Sequence, residues 1–321
     1  MDLSRVLRRV LTVYEWDVGV ADLRLEDLVR GDTSAGPVSI CPSVRWLRKP
    51  WFVRYQADPC LIENEGHLFL YYEEVLFGSV KGRLRQCRLT AEGTLVGRHA
   101  MVSLPYHVSY PCVFDYAGRF YFVPEAGDSK RVTLYEAPQP QGPWAERATL
   151  LDGANCYDNT LFQFGERWWL FSTVGGADAE SVQSNLHIWH AAEPWGPWTP
   201  HRRQCAKRDI HSARPAGRPF VVDGMLYRPA QDCRPRYGLR VVINRVLTLT
   251  PDEFEEEVCA YIEPDPLGPR PEGLHTLTSA RGIVMVDGCR ERPSHNPVKV
   301  LLAAIPRIRS RLRLVGTRHE G

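Results

Sequence analysis

Asp58, Tyr110, Asp158, Arg214 and His275 occupy one recurring position in this chain, at intervals of 52, 48, 56 and 61 residues. They comprise two acids, a phenol, a guanidinium and an imidazole. Carboxyl groups brought together can divide the work of acid and base. The guanidinium offers a planar fork for phosphate or carboxylate, and the imidazole titrates near neutrality. Glu73 and Glu125 stand fifteen residues after the first two members. His211, Arg228 and Asp232 lie near the fourth.

Each of the five opens a segment with the same plan: a small apolar strand, a turn with Gly or Asp, then an aromatic-rich strand. The segments are ADPCLIENEGHLFLYYEE (57–74), SYPCVFDYAGRFYFVPEA (109–126), YDNTLFQFGERWWLFST (157–173), ARPAGRPFVVDGMLYRPAQD (213–232) and LHTLTSARGIVMVDG (274–288). The first two match without a gap, down to the turn glycines Gly66 and Gly118. A period near fifty residues with paired strands predicts a β-propeller of five four-stranded blades. Two further stretches, RVTLYEAPQPQGPW (131–144) and NLHIWHAAEPWGPW (185–198), predict third strands that turn into fourth strands. LRVVINRVLTL (239–249) is their counterpart in blade four, and the strand near 14–20 is expected to complete the last blade.

Residues equidistant from a hairpin turn lie side by side, so Asp58 returns beside Glu73 and Tyr110 beside Glu125. Asp158 falls opposite Thr173, and Arg214 near Gln231 and Asp232. Innermost strands line a propeller's channel, so the five column residues should converge at one end of its axis. Each also has a plainer reading. Asp58, before Pro59, and Asp158 could cap turns. Tyr110 could be packing, Arg214 could be neutralised by Asp58 or Asp158, and His275 could be a core histidine. Trp168, Trp169 and Tyr227 could stack on sugar, but their strand positions suit blade packing better.

The chain has 321 residues, 44% hydrophobic and 24% charged, with a net charge of +2. That balance argues against a nucleic-acid binder. Nine cysteines stand singly with no C-x-x-C pair, so neither a metal site nor another cofactor is expected, and the thiols read as reduced. The start, MDLSRVLRRVL, is too charged for a signal peptide, and no apolar run is long enough to span a membrane. A cytoplasmic location is the expectation. The domain reading is a short basic helix over 1–12, the propeller over 13–303 and a basic tail over 304–321. Both ends could touch anionic lipid or a partner, although a solvated basic end is the commoner explanation.

The strings ADPCLIE, HVSYPCVF, WWLFST, GPWTPH, SARPAG, YRPAQDC and GLHTL resemble the propeller family found as the N-terminal domain of glucosamine inositolphosphorylceramide transferases. The resemblance covers about residues 14 to 290. ADPCLIE is also similar, more distantly, to the first strand of the five-bladed arabinanase, invertase and levansucrase group. That likeness implies a catalytic carboxylate at Asp58 and a tuning, sugar-orienting one at Asp158. The same group takes its general acid from a glutamate of a later blade, where this chain has Arg214. Glycoside cleavage needs that acid, which leaves Glu73 or Glu125 to supply it. Two functions are therefore expected: a carbohydrate-active enzyme, transferring or cleaving, or a non-catalytic domain binding a glycan or sugar phosphate. Arg214, His211, Arg228 and His275 facing one cavity would favour an anionic ligand.

Overall fold

In the computed structural model the described residues are 12–31, 36–90, 92–176, 178 and 180–293. The readings for the basic helix and the basic tail fall almost wholly outside them. The chain opens with β1 (Thr12–Ala21), α1 (Leu25–Arg30), β2 (Val38–Ile40) and β3 (Val44–Trp46). Blade one follows as β4 (Val53–Asn64), β5 (His67–Leu76), β6 (Gly82–Leu89) and β7 (Leu95–Ala100). Blade two is β8 (Ser109–Tyr116), β9 (Arg119–Glu125), β10 (Arg131–Ala137) and β11 (Ala145–Asp152). Blade three is β12 (Cys156–Phe164), β13 (Arg167–Val174), β14 (Asn185–Ala191) and β15 (Thr199–Pro200), with β16 (Lys207–Arg208) also on β14.

Blade four is β17 (Phe220–Val222), β18 (Met225–Asp232), β19 (Arg240–Leu249) and β20 (Phe254–Ile262). Its innermost strand is short: Pro215, which has no N–H to give, makes a single bridge to Ala230 before the pairing resumes at Phe220. Blade five is β21 (Leu277–Ala280) and β22 (Ile283–Pro293), completed by β1 and then β3 from the other end of the chain. The chain is thus a five-bladed β-propeller closed by its N-terminal strand.

Five apolar clusters lie between adjacent blades. Tyr71, Val113 and Phe122 pack between one and two, and Phe114, Leu134 and Leu161 between two and three. Phe171, Leu226 and Phe254 fill the third seam, Tyr227, Ile243 and Val286 the fourth, and Val18, Leu70 and Met285 the last. Trp168, Trp169 and Tyr227 are buried in these seams, where their large apolar area stabilises the fold. The two Gly-Pro-Trp strings behave alike: both Gly–Pro bonds are cis, and Trp144 and Trp198 each lean on a blade seam. A cavity of about 20 Å³ beside the column is lined in part by Asp58, Tyr110, Cys60, Cys112, Arg218 and Thr276, room for about one water.

Candidate functional site

Three of the five column residues sit in left-handed backbone: Asp58 at φ 53°, Tyr110 at φ 44° and Asp158 at φ 51°. In each blade the pairing slips at this point, between Ala57 and Cys60, Ser109 and Cys112, and Tyr157 and Thr160. The bulge turns the strand at the channel mouth and re-aims the side chain. Non-glycine residues there carry strain, and carboxylates hold them in place. The N–H of Asp58 donates to Asp287 Oδ2 at 3.0 Å, that of Tyr110 to Asp58 Oδ2 at 3.2 Å, and that of Asp158 to Glu125 Oε2 at 3.0 Å. The ring is therefore stitched blade to blade by the acids a ligand would meet.

Two cations complete it. Arg214 donates from Nε to Asp158 Oδ2 at 2.6 Å, from Nη2 to Glu125 Oε2 at 3.5 Å and from Nη1 to the Val182 carbonyl at 3.0 Å. Gln231 also donates to Asp158 Oδ2, at 2.6 Å. His275 places Nδ1 2.7 Å from Asp287 Oδ2 and Nε2 3.4 Å from Asp58 Oδ1. The first approach is close but not aligned for a hydrogen bond. Trp16 packs against the His275 ring at 4.1 Å. Tyr237, 41% exposed, stands over the pair, 5.1 Å from the Arg214 guanidinium and edge-on to His275 at 5.3 Å.

Burial and crowding set the protonation of this ring. Burial pushes the Asp58 carboxyl up to about 7, with His275 pulling the other way. Glu73 and Glu125 are held well above the ordinary range, by burial first and then by the charges of Asp58 and Asp158 respectively. Burial opposes charge on His275, yet Asp287 and then Asp58 outweigh it and raise the imidazole to about 9. Asp287 is lowered in spite of burial, because the charge of His275 and the hydrogen bonds from the Thr276 hydroxyl and the Asp58 N–H stabilise its carboxylate. The mouth thus sets carboxyls raised by burial beside one lowered by its partners.

Asp58, Asp158, Arg214 and His275 converge as the repeat predicts, with Glu73 and Glu125 beside them. Tyr110 reaches the ring, but its hydroxyl bonds Thr160 Oγ1 at 2.8 Å and is buried in the wall. Arg228 does not face the channel. It is buried on β18, donating to Glu256 from Nε at 2.8 Å and to the Ser212 and Ala213 carbonyls. Three residues back along the strand from Gln231, it lies inside the blade and not at its mouth. His211 is 60% exposed and tied through Nδ1 to Asp232 Oδ1 at 2.9 Å, while Asp232 also takes Arg240. Four cations at one cavity therefore reduce to two, Arg214 and His275.

Asp287 was not foreseen. It sits in VMVDG at the end of the fifth segment, twelve residues after His275. The blade-five hairpin is shorter than the fifteen-residue pairing of blades one and two; its turn, Arg281–Gly282, lies midway and would have identified Asp287 as the partner. His107 is a second addition, its Nε2 3.6 Å from Glu73 Oε1 at the open side. Asp58, His275 and Asp287 also present ligand atoms within 4.8 Å of one another, the atom types a cation would use. Against that, Asp287 already accepts the N–H groups of Asp58, His275 and Thr276.

Comparison with known proteins adds three findings. Residues 25–266 match the family described as glucosamine inositolphosphorylceramide transferase 1, N-terminal. The chain is 30% identical over 239 residues to glucosamine inositolphosphorylceramide transferase 1 of Oryza sativa subsp. japonica, covering 73% of this chain and 32% of that protein. To the Arabidopsis thaliana protein of that name it is 29% identical over 258 residues, covering 75% and 33%. It spans about a third of the length of these relatives. Among solved structures it is similar to a family 117 glycoside hydrolase of Zobellia galactanivorans, with TM-score 0.54 and 11% identity over 87% of this chain and 91% of that one. A family 43 β-xylosidase/α-arabinofuranosidase from a compost metagenome gives TM-score 0.53 and 13% identity over 75% and 92%. At those identities the likeness is one of fold. With its five blades and the sequence match across most of its length, the chain belongs to the family of glucosamine inositolphosphorylceramide transferase 1 N-terminal domains.

Proposed function

We propose that this propeller is carbohydrate-active and takes one sugar of a glycoconjugate into the mouth of its channel, for glycosyl transfer or glycoside cleavage. The observation that carries this is the gathering of Asp58, Asp158, Glu73 and Glu125 at one end of the axis. Such chemistry needs a proton donor and a carboxylate on opposite sides of one bond. In this reading Asp58 is base or nucleophile, and Asp158 orients the sugar. Glu73 is the better acid of the two candidates. Burial raises both, but Glu125 already accepts from Asp158 and Arg214, whereas Glu73 has His107 beside it. The relatives' transferase name and the hydrolase names of the fold neighbours support a sugar ligand.

An anionic ligand is the finer version of this reading. Phosphate or uronate reaching Arg214 would have to displace Glu125 or Asp158, and His275 is already paired with Asp287. Neutral hydroxyls, which both donate and accept, need no such exchange, so the sugar at the ring itself is expected to be neutral. Arg214, standing in blade four where glycosidase-like propellers place an acid, favours a second reading, binding without turnover. Aryl glycosides and oligosaccharides offered to the parent and to Asp58→Asn separate the two. Turnover falling by about 10²–10⁴ in the variant marks catalysis. Sugar-dependent rises in melting temperature with no turnover in either mark a binding domain. No turnover and no thermal shift with any sugar would sink both.

A further inference from the structure

Residues 47–52 join β3 of blade five to β4 of blade one and carry Arg48, Lys49, Pro50, Trp51 and Phe52. Trp51 is 67% exposed and Phe52 46%, with their rings edge-on at 5.9 Å. Because β4 begins at Val53, five residues before Asp58, this turn stands on the face that carries the channel mouth. Val80 and Leu267, on other loops of that face, are also exposed. Large apolar side chains raised together on one face mark a surface that meets another apolar phase.

Beside the turn lies a cavity of about 300 Å³, lined by Trp51, by Arg48, Lys49, Arg270 and Arg290, and by Glu15 and Asp17. Four cations against two carboxylates leave an excess of positive charge. Lys49 is fully engaged: Nζ donates to the Trp16 and Arg54 carbonyls at 2.9 and 2.7 Å and meets Asp17 Oδ1 at 2.8 Å. Arg270 pairs with Asp17, Arg290 with Glu15, and Arg48 is exposed. Burial above all holds Lys49 and Arg270 below their ordinary values, and Arg290 repels both. An anion between the arginines would relieve that repulsion. Val221 and Met225, exposed on blade four's first hairpin, lie outside this cavity's lining.

We propose that this turn and cavity dock the propeller on an anionic membrane, with Trp51 and Phe52 entering the lipid interface and a phosphate-bearing headgroup seated against Arg48, Arg270 and Arg290. Trp is suited to that boundary, with an apolar ring and one N–H for the wet side. The cations meet the negative surface potential of the leaflet. Docked in this way, the channel mouth faces the membrane surface. The proposal requires no reaction at the ring and stands apart from the sugar reading.

The test is co-sedimentation with vesicles of phosphatidylcholine alone and of phosphatidylcholine with phosphatidylserine. The parent is expected to bind the anionic vesicles. Trp51→Ser with Phe52→Ser, and separately Arg48→Glu, should each weaken binding about tenfold or more. Both changes are at exposed positions, so an unchanged melting curve checks the fold. Failure of the parent to bind, equal binding to neutral vesicles, or unchanged binding by the aromatic double variant overturns the proposal. Inorganic phosphate supplies the other arm. If it raises the parent's melting temperature but not that of Arg290→Gln, and vesicles do not bind, the cavity is a soluble-phosphate site and membrane docking is wrong.

Discussion

Arg214 spends its charge on Asp158 and Glu125, and its side chain is only 8% exposed. Breaking such a pair from one side leaves an uncompensated buried charge, costing about 3–5 kcal/mol. Arg214→Ala is therefore expected to lower unliganded stability by about that much, with no rescue by phosphate or sulfate. A variant as stable as the parent, or one that anions no longer stabilise although they stabilise the parent, would return Arg214 to the role of ligand reader. His275 gives a pH signature. Its folded pKa of about 9 lies above the ordinary 6.5, so the folded state holds the proton more tightly. The stabilisation is fully present below about pH 6.5 and lost as pH rises through 9, a fall of about 3 kcal/mol. Asp58, raised from 3.8 to about 7, acts in the same direction at lower pH. Melting temperature should therefore decline from pH 6.5 to 9 in the parent and be flatter in His275→Gln. Equal slopes would show that the His275–Asp287 pair does not couple to folding.

At the scale of the strand, the sequence shows a repeat most clearly where local and tertiary demands coincide. Blades one and two match without a gap because both solve one problem: bulge, hairpin, return to the rim. Even their thiols repeat. Cys60 Sγ takes the N–H of Val113 at 3.3 Å, and Cys112 Sγ that of Leu161 at 3.3 Å, each across a blade seam. The spacing predicted that Asp58, Tyr110 and Asp158 would share a position. It could not predict left-handed backbone there, since aspartate tolerates that region while tyrosine does so only when the fold enforces it. Blade four was harder to read. Pro215 interrupts its inner strand, so proximity in sequence gave no guide to which of His211, Arg228 and Asp232 reach the axis. In a blade, successive side chains of the second strand face the two neighbouring seams; only the residue at its rim end meets the channel. Gln231 is that residue, and Arg228 is not.

At the scale of the whole molecule, closure decides whether the five seams form at all. Blade five draws β21 and β22 from one end of the chain and β1 from the other; β1 pairs with β22 from Thr12↔Pro293 to Ala21↔Val284. No covalent bond secures that seam, for all nine cysteines are free. What holds it is the ladder itself, the packing of Val18 against Leu70 and Met285, and the buried pairs of Glu15 with Arg290 and Asp17 with Lys49. Losing β1 would bare one face of the last apolar seam, leave a sheet edge open and strand Lys49 and Arg290 beside no carboxylate. A chain beginning at Asp22 should therefore fail to melt cooperatively, while the parent gives one sharp transition. A synthetic peptide of sequence TVYEWDVGVA should restore the transition in trans, because it supplies ladder, apolar face and both acids together. The same peptide with its two acids changed to Gln and Asn should restore it less well, since the buried cations would remain unpaired. A cooperative melt of the shortened chain without peptide would show that the four remaining strand sets hold the ring unaided, and that β1 is an addition to the fold and not its clasp.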